Sequence, residues 1–555
     1  MELFVHKEVF IRRQHVINQV CKYMFDNNLL PAVLFILSRK QIDTVAKEIT
    51  TNLLEDDSKI PYIIHKECDD ILRKLPNYEE YKDLPEYVST VKLLEKGIGI
   101  HHSGVIPILR EITEILFSKG YIKLLLATET FSVGLNMPIK TTVFTSLSKF
   151  DGTENRYFHS HEYMQCSGRA GRRGIDKIGT VIHLNNLFRL PPLTDYKQIM
   201  NGKPQTLVSK FKLSYNLLLS LVNSGGGGEL TEFVSKSMIN ATIRKEMDAI
   251  QDQIVKNEKQ IVDLQSVVAA QRTPRDIVDK YISCLKSRML GSQKKRKEME
   301  REMQSIKEEW QDVDNDMSQV SKLREMEEDV EYLREDYNNA QSYLQNNLRV
   351  LIDYLKEDGF IHEEDSGIMS LTTKGFIAAQ TKEIHCLVCA NLWETLSTMD
   401  VKDLVKIFSC FSNVTVADDV KTINYGGGGG GGSAAPVTRI LDRINHDYNK
   451  YQDFENESRI DTGTEYSIHY DLLNYTDRWY DAASVEECKS ILQDIEAQKG
   501  IFLGEFVKAI LKINTVSAEM EKIAETLGNI EFLHKLKEIP KNTLKFVATN
   551  QSLYV

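Results

Sequence analysis

Ile122-Lys-Leu-Leu-Leu-Ala-Thr-Glu-Thr-Phe-Ser-Val-Gly-Leu-Asn-Met-Pro138 runs from a short apolar stretch straight into a loop of small and polar residues. An apolar run this short, closed off by turn residues, reads as a strand covered on both faces. Thr128 and Thr130 offer hydroxyls at the strand's end, Gly134 permits close backbone approach, and Asn136 adds an amide. Small hydroxyls and backbone N–H groups hold phosphates without base preference; an ordinary strand-to-helix turn is the alternative. Four further runs have the same character. Ala32-Val-Leu-Phe-Ile-Leu37 ends at Ser38-Arg39 and is followed by a helical pattern with Ile42, Val45, Ala46 and Ile49 on one face. Gly97-Ile-Gly-Ile100, Thr141-Thr-Val-Phe144 and Thr180-Val-Ile-His183 complete the set. Strands alternating with helices predict an α/β domain, a parallel sheet with helices on both faces, over residues 1–190. Ligand loops in such sheets sit at the carboxyl ends of the strands.

Two more stretches in this region carry chemistry. Gly99-Ile-His-His-Ser-Gly104 puts His101 and His102 at a strand end. A metal pair needs further ligands at fitting distance, and none accompanies them. Ser103-Gly104 suits a turn against a sugar-phosphate backbone, so the histidines are read as structural or nucleic-acid-facing. Gln165-Cys-Ser-Gly-Arg-Ala-Gly-Arg-Arg-Gly174 sets Arg169 and Arg172 three residues apart with small residues between. Small residues admit close backbone approach, and two rigid, always-charged guanidiniums can then reach one phosphate. This is the sequence form of an arginine finger; a basic surface turn is the plainer reading.

The chain has 555 residues, enough for several domains. Its composition, 42% hydrophobic and 27% charged, is that of a soluble globular protein. No apolar run approaches the roughly 18 residues that span a bilayer, and the first residues lack a signal peptide's apolar segment. Eight scattered cysteines read as reduced and intracellular, with nuclear, cytoplasmic and viral-factory or virion locations left open. Cys386-Leu-Val-Cys389 beside His385 has no second ligand pair, so no metal site is expected. The net charge of −11 excludes a uniformly basic nucleic-acid binder but not a channel lined locally with Lys and Arg.

Beyond residue 190 the pattern turns helical. Ile243, Met247, Ile250, Ile254, Ile261, Leu264 and Val268 form one heptad seam. A second runs through Met299, Met303, Ile306, Trp310, Val313, Met317 and Val320, slips near Leu323, and resumes at Met326, Val330, Leu333 and Tyr337. One copy of each predicts an antiparallel helical hairpin over 241–340, with an intermolecular coiled coil as the alternative. Its tip would hold Pro274 and the basic cluster Lys294-Lys-Arg-Lys297, which either contacts RNA or a partner or is simply a solvated face. Residues 345–392 read as helix, turn and short strand, the end of a winged helix, and 393–555 as a helical bundle. Two glycine-rich stretches, Gly225–Gly228 and Gly426–Ser433, are flexible linkers by composition, either engineered replacements for mobile loops or natural low complexity.

Taken together these motifs resemble the second RecA-like domain of superfamily 2 DExH-box helicases, most closely the superkiller-type RNA helicases that feed the exosome. Phe35-Ile-Leu-Ser-Arg39 resembles their motif IV, Gly99–Gly104 the segment after it, 127–138 motif V and 165–174 motif VI. Lys149-Phe-Asp-Gly152 before Glu162-Tyr-Met-Gln165 is similar to the exosome-cofactor branch; the likeness continues at Phe211-Lys-Leu-Ser-Tyr-Asn216, Thr373-Lys-Gly375 and Ser552-Leu-Tyr-Val555. The resemblance implies a winged helix over 191–240 and 341–392, interrupted by a stalk at 241–340, then a ratchet bundle. Too few residues separate the seams for the β-rich module that ends the family's arch. It also implies ATP and Mg2+ as cofactors, RNA as partner, and 3′-to-5′ unwinding. Arg169, Arg172 and Gln165 would act on the nucleotide, with Gly134, Asn136 and Gly168 beside it. Thr128, Thr130, Ser38, Arg39, His102, Ser103 and Gly104 would touch RNA, and the segment from Ser146 to His161 would part the strands. Lys508 and Lys512 would line the channel from the bundle or lie on a solvated face.

One departure shapes these expectations. No G-x-G-K-[ST] phosphate loop and no D-E-x-H box occur anywhere. ATP and Mg2+ would then be bound mainly by a first RecA-like domain outside these residues, its partner in the same protein. The chain is expected to be the C-terminal portion of a longer helicase and inactive by itself, with a natural ATPase-dead protein as the alternative. A DNA helicase fragment and a non-catalytic RNA-binding scaffold, recruiting an RNA-processing or transcription complex through the stalk, are the other readings. No membrane partner is expected.

Overall fold

The computed structural model describes residues 11–54, 59–132, 137, 139–151, 154–172, 174–188, 190–202, 209–224, 232–233, 236–290, 293–365, 367–423 and 436–553. Gly134, Asn136 and both glycine-rich stretches lie outside them. The chain divides into two units: Met1–Leu207 with Gln380–Gln452 and Glu465–Val555, and Val208–Ala379 with Asp453–Thr464.

The first unit is built on the apolar runs. Strands β1 (Ala32–Phe35), β2 (Ile98–His101), β3 (Leu124–Ala127), β4 (Thr141–Phe144) and β7 (Thr180–His183) form one sheet in the order β2-β3-β1-β4-β7; between β4 and β7 lies a separate antiparallel hairpin of β5 (Ser148–Phe150) and β6 (Asn155–Tyr157). All neighbours in the five-stranded sheet are parallel, with Ala32 opposite both Leu124 and Thr141. β1, β3 and β4 are buried along their whole length, which is why they read as unbroken apolar runs rather than alternating ones. On one face Leu34, Leu124, Leu126 and Val143 pack against Val16, Ile17, Cys21 and Met24 of the helix Arg13–Asp26 and Ile42, Val45 and Ala46 of the helix Arg39–Glu48. On the other, the helix Ser160–Ser167 sets Tyr163 5.2 Å from Phe144, and the helix Pro107–Ser118 brings Thr113 over Gly99. A Cβ on Gly99 would meet Thr113 at 2.8 Å and Leu125 at 2.9 Å, so the glycine admits that helix.

Six described helices of the C-terminal region lie wholly in the same unit, Cys386–Thr398, Val401–Ser409, Leu473–Asp481, Val485–Lys499, Leu503–Leu527 and Ile530–Thr543, and a further one, Pro436–Ser458, passes into the other unit at Asp453. Trp479 is fully buried, stands edge-on to Phe506 at 5.0 Å and donates its indole N–H to Thr543 O at 2.9 Å. The expected break after residue 392 is corrected, because it falls inside the helix Cys386–Thr398, whose apolar side chains 386–390, Leu392 and Trp393 bury together.

In the second unit the helix Met238–Ala269 lies antiparallel to the helix Val313–Glu357, with Arg334 bound to Glu258 at 2.6 Å and Gln265 to Glu327 at 3.3 Å. Their seam buries Ile254, Ile261, Leu323 and Val330, flanked by Ile250, Leu264, Val268, Met326, Leu333 and Tyr337. The second seam expected from sequence is corrected. The helix Gln293–Glu309 ends before Trp310, and Met299, Met303 and Ile306 pack on Tyr281 and Cys284 of the helix Arg275–Leu290. The four-three spacing passes through a helix break, so one run of residues serves two packing surfaces. Nor does a boundary fall at residue 340, where Val313–Glu357 continues unbroken. After it come the antiparallel pair β8 (Ile361–Glu363) and β9 (Met369–Leu371) and the helix Thr373–Gln380. The amide of Asn216, on the helix Tyr215–Asn223, donates to the carbonyls of Ala378 and Ala379, both at 3.1 Å.

Candidate nucleotide-facing turn and nucleic-acid interface

The arginine turn follows the helix Ser160–Ser167. That helix is anchored at its start by Glu162, which accepts the His159 N–H at 2.9 Å, two bonds from Arg156 at 2.8 and 2.9 Å, and Lys149 at 2.8 Å. Burial works against its charge, but the bonds from Arg156 and Lys149 outweigh it and hold the carboxyl well below the usual carboxylate range. Lys149 and Arg156 belong to the β5–β6 hairpin, so the hairpin and the arginine helix share one charged joint. The hairpin leaves Phe150 and Tyr157 exposed.

Beyond the helix the backbone turns sharply. Gly171 has φ +94°, which an L side chain rarely adopts, and its N–H donates to Ile139 O at 3.0 Å, just ahead of β4. A Cβ there would stand 3.1 Å from Gly179, and one on Gly179 would stand 2.3 Å from the carbonyl of Ala170. Two glycines thus let two backbone segments cross in contact, and this fixes where Arg169 and Arg172 start. Arg169 donates from Nε to Ser132 O at 2.9 Å, tying the turn to the loop after β3. Arg172 grips Asp176 through Nε at 2.6 Å and Nη2 at 2.9 Å, while its own N–H meets the same carboxylate at 2.9 Å. These side-chain and backbone bonds push the Asp176 carboxyl well below its ordinary range. The Arg172 side chain remains 26% exposed; Gln165 and Gly168, which ends the helix, are exposed.

The other expected residues follow the carboxyl ends of β1, β2 and β3. Ser38 precedes the helix Arg39–Glu48 without a side-chain capping bond, and Thr128 and Thr130 join hydroxyls at 2.8 Å, Thr128 buried and Thr130 exposed. His101 is buried and bonded to Glu114 at 2.7 Å. His102 is 1% exposed, its ring edge-on to Phe502 at 5.6 Å and its Nδ1 accepting the Gly104 N–H at 3.1 Å. In the described structure His102 and Gly104 are thus packed against protein. Their turn is met from the C-terminal region. Gly504 donates to Gly104 O at 3.0 Å, and Lys508 donates from Nζ to Ser103 O at 3.2 Å. A Cβ on Gly504 would fall 2.6 Å from the carbonyls of Gly104 and Val105, so only glycine lets the helix Leu503–Leu527 approach this closely.

Arg39 and Lys508 thus share one neighbourhood, although 469 positions separate them in sequence. Arg39 is ion-paired to Glu505, donates to Thr415 Oγ1 at 2.9 Å and lies over the Phe502 ring. Lys512 pairs instead with Glu383. Sequence reasoning missed Asp176, Phe502, Gly504, Glu505 and Arg110. Only Asp176 carried a signal, an acid four positions after Arg172. Among the described residues no group of three or more His, Cys, Asp or Glu side chains could hold a metal ion. His385 caps its helix by accepting the Val388 N–H at 3.4 Å, and burial pushes both Cys386 and Cys389 up to about 12. No described helix is long and apolar enough to cross a membrane.

Residues 71–174 match the helicase conserved C-terminal domain family. Among curated proteins, the chain is 42% identical over 204 residues to the DExH-box ATP-dependent RNA helicase DExH9 of Arabidopsis thaliana, covering 36% of this chain and 20% of that protein. It is 40% identical over 206 residues to the antiviral helicase SKI2 of Saccharomyces cerevisiae, 37% of this chain and 16% of that one. To the exosome RNA helicase MTR4 of Homo sapiens it is 40% identical over 207 residues, 37% and 19%. The match spans a fifth or less of each relative. Strands β2, β3 and β4 and the arginine turn thus lie within the stretch that is similar to the helicase conserved C-terminal domain, and over about 200 residues the chain is similar to DExH-box, superkiller-type and exosome RNA helicases.

Proposed function

We propose that this chain forms the second RecA-like half, with its attached helical units, of an ATP-dependent 3′-to-5′ RNA helicase. The observation that carries the reading is the arginine turn: two guanidiniums on a backbone fixed by the Gly171–Gly179 crossing, one of them partly exposed. ATP is the phosphoryl donor in this chemistry. The residues present fit its γ-phosphate side only. Arg172 and Arg169 would stabilise negative charge there, and exposed Gln165 would orient a water or phosphate oxygen. A first RecA-like domain would supply the phosphate loop, the Mg2+ ligands and the opposite wall of the cleft. Gly168 borders the same turn, with Gly134 and Asn136 assigned to it from sequence.

The RNA side would use Ser38, Arg39, Thr128, Thr130, Ser103 and Lys508 around the carboxyl ends of the strands. Lys512 is the weaker candidate, since Glu383 already neutralises it. The β5–β6 hairpin, with Phe150 and Tyr157 exposed, suits strand separation. The helix Tyr215–Asn223, the β8–β9 pair and the helix Thr373–Gln380 would be the winged helix, the long helix pair its stalk, and the C-terminal helices the ratchet. An exosome-linked complex would engage the stalk.

The test joins the chain to a RecA-like domain carrying a phosphate loop and measures RNA-stimulated ATP turnover. Arg172→Ala should lower turnover by on the order of 10³-fold or more while leaving RNA affinity unchanged. The chain by itself should not turn over ATP. Wild-type turnover in Arg172→Ala would sink the finger assignment. Unwinding of a 3′-overhang DNA duplex as fast as the RNA duplex would sink the RNA reading.

A further inference from the structure

Four charged side chains converge where the helix Leu503–Leu527 meets the loop after β2, and their charges do not balance. Glu505 and Lys508 come from the first turns of that helix, Arg39 opens the helix Arg39–Glu48, and Arg110 lies in the first turn of Pro107–Ser118. Glu505 binds Arg39 through one oxygen, while its other oxygen is buried and accepts nothing among the described residues. Arg110 Nε is likewise buried with no acceptor among them. Among the described residues Lys508 donates to a neutral carbonyl, that of Ser103, and is in no ion pair. Burial and the charges of Arg110 and Arg39 push its ammonium below the usual lysine range, with Glu505 opposing. Asp43, one turn beyond Arg39, faces His102 at 3.6 Å. Three cations around one carboxylate, partly out of water, form a place where a second anion is favoured. Arginine forks and an ammonium together suit a phosphodiester, whose oxygens resemble a carboxylate in charge and geometry.

We propose that Arg39, Arg110 and Lys508 form one track for RNA phosphates, and that Glu505 is a built-in phosphate mimic which closes it until RNA displaces the carboxylate. The proposal rests on the RNA-binding reading above and adds to it Arg110 and a gate. A phosphate entering between Arg110 and Lys508 repels Glu505, and Arg39 exchanges the carboxylate for the phosphate. Glu505 then leaves the first turn of its helix, the turn that Gly504 bonds to Gly104.

The test is the binding of a short fluorescent oligouridylate to the whole chain, followed by anisotropy at several salt concentrations. Glu505→Gln should bind about tenfold more tightly at low salt, and Glu505→Asp should bind like the unaltered chain. Arg110→Ala and Lys508→Ala should each weaken binding and flatten the salt dependence by about one charge. In the unaltered chain, hydrogen exchange should rise at 502–506 and fall at 102–105 when the oligouridylate is added, a readout that needs no variant to fold. If Arg110→Ala and Lys508→Ala weaken binding but Glu505→Gln does not strengthen it, and exchange falls at both segments, the gate is wrong. Tight RNA binding indifferent to Arg110 and Lys508 overturns the track and leaves the RNA reading standing. If no variant binds RNA, the RNA reading fails with it. A gain in Glu505→Gln seen only with the matching deoxyoligonucleotide overturns the assignment to RNA.

Discussion

The role proposed for Arg172 needs a guanidinium held in place without losing its charge. Asp176 does this for Arg172: two side-chain bonds and one backbone bond fix the fork, and a partly exposed ion pair can be exchanged for a stronger partner. A different balance holds at His385, where burial dominates. The ring stacks on Tyr451 at 5.4 Å, has Tyr448 and Tyr466 beside it, and is pushed down to about 4. The folded chain therefore keeps this imidazole neutral where the unfolded chain protonates it. Its stabilising contribution is whole above about pH 6.5 and is lost as pH falls toward 4, on the order of 3 kcal/mol in all. His385→Asn keeps a good N-cap and removes the titration. Urea unfolding at pH 7 and pH 5 should show the unaltered chain losing more stability than His385→Asn; equal losses would mean the ring titrates normally.

Among the elements, the contact between the helix Leu503–Leu527 and the loop after β2 depends on the absence of one carbon. Gly504→Ala would put a Cβ 2.6 Å from two backbone carbonyls, which cannot rotate aside as a side chain can. The helix start must retreat, at a cost of about 1–3 kcal/mol. A urea midpoint unchanged by Gly504→Ala would show that the approach is looser than described. This contact also shows where the sequence stops being legible. The five strands could be found because each is a short apolar run buried on both faces, with errors only at the ends: β1 stops at Phe35 although Ile36 still donates to Ala127 O. The seam of Ile254, Ile261 and Val330 was equally visible in its spacing. The break at Trp310 was not, because the apolar spacing carries on across it. The packing of the His102 turn was not legible either, because nothing local announces Phe502, 400 positions away. Glu505 could not be found at all: a single acid in a helix acquires meaning only from the arginine it meets.

At the scale of the whole molecule, the first unit closes on itself although its chain is interrupted. Leu553 and Ser552 bond to Glu111 at 2.6 and 3.0 Å, and Asn77 donates to Phe546 O at 2.9 Å, so the last described residues return to the helices around the sheet. Among the described residues, the core on one face of that sheet draws on positions from Ile11 to Leu187. The long helix pair is equally self-contained, since Ile254, Ile261, Leu323 and Val330 find their partners in one another. With Glu258 facing Arg334 and Gln265 facing Glu327, Met247 faces Gln345 in the same register. Replacing 248–344 by a short glycine-serine turn between those two positions removes both sides of every contact in the seam together. No buried apolar surface is left without its partner, so the cavity cost of truncating one side does not arise. The shortened chain should unfold at the same urea concentration as the full one when followed by the fluorescence of Trp393 and Trp479, with Trp310→Phe in the full chain, and should hold oligouridylate with an affinity within about twofold. If the pair recruits a partner complex, that association alone should be lost. A shortened chain that no longer folds would show that residues 248–344 contribute to the sheet and bundle; one that folds but no longer binds RNA would move the nucleic-acid surface onto the helix pair.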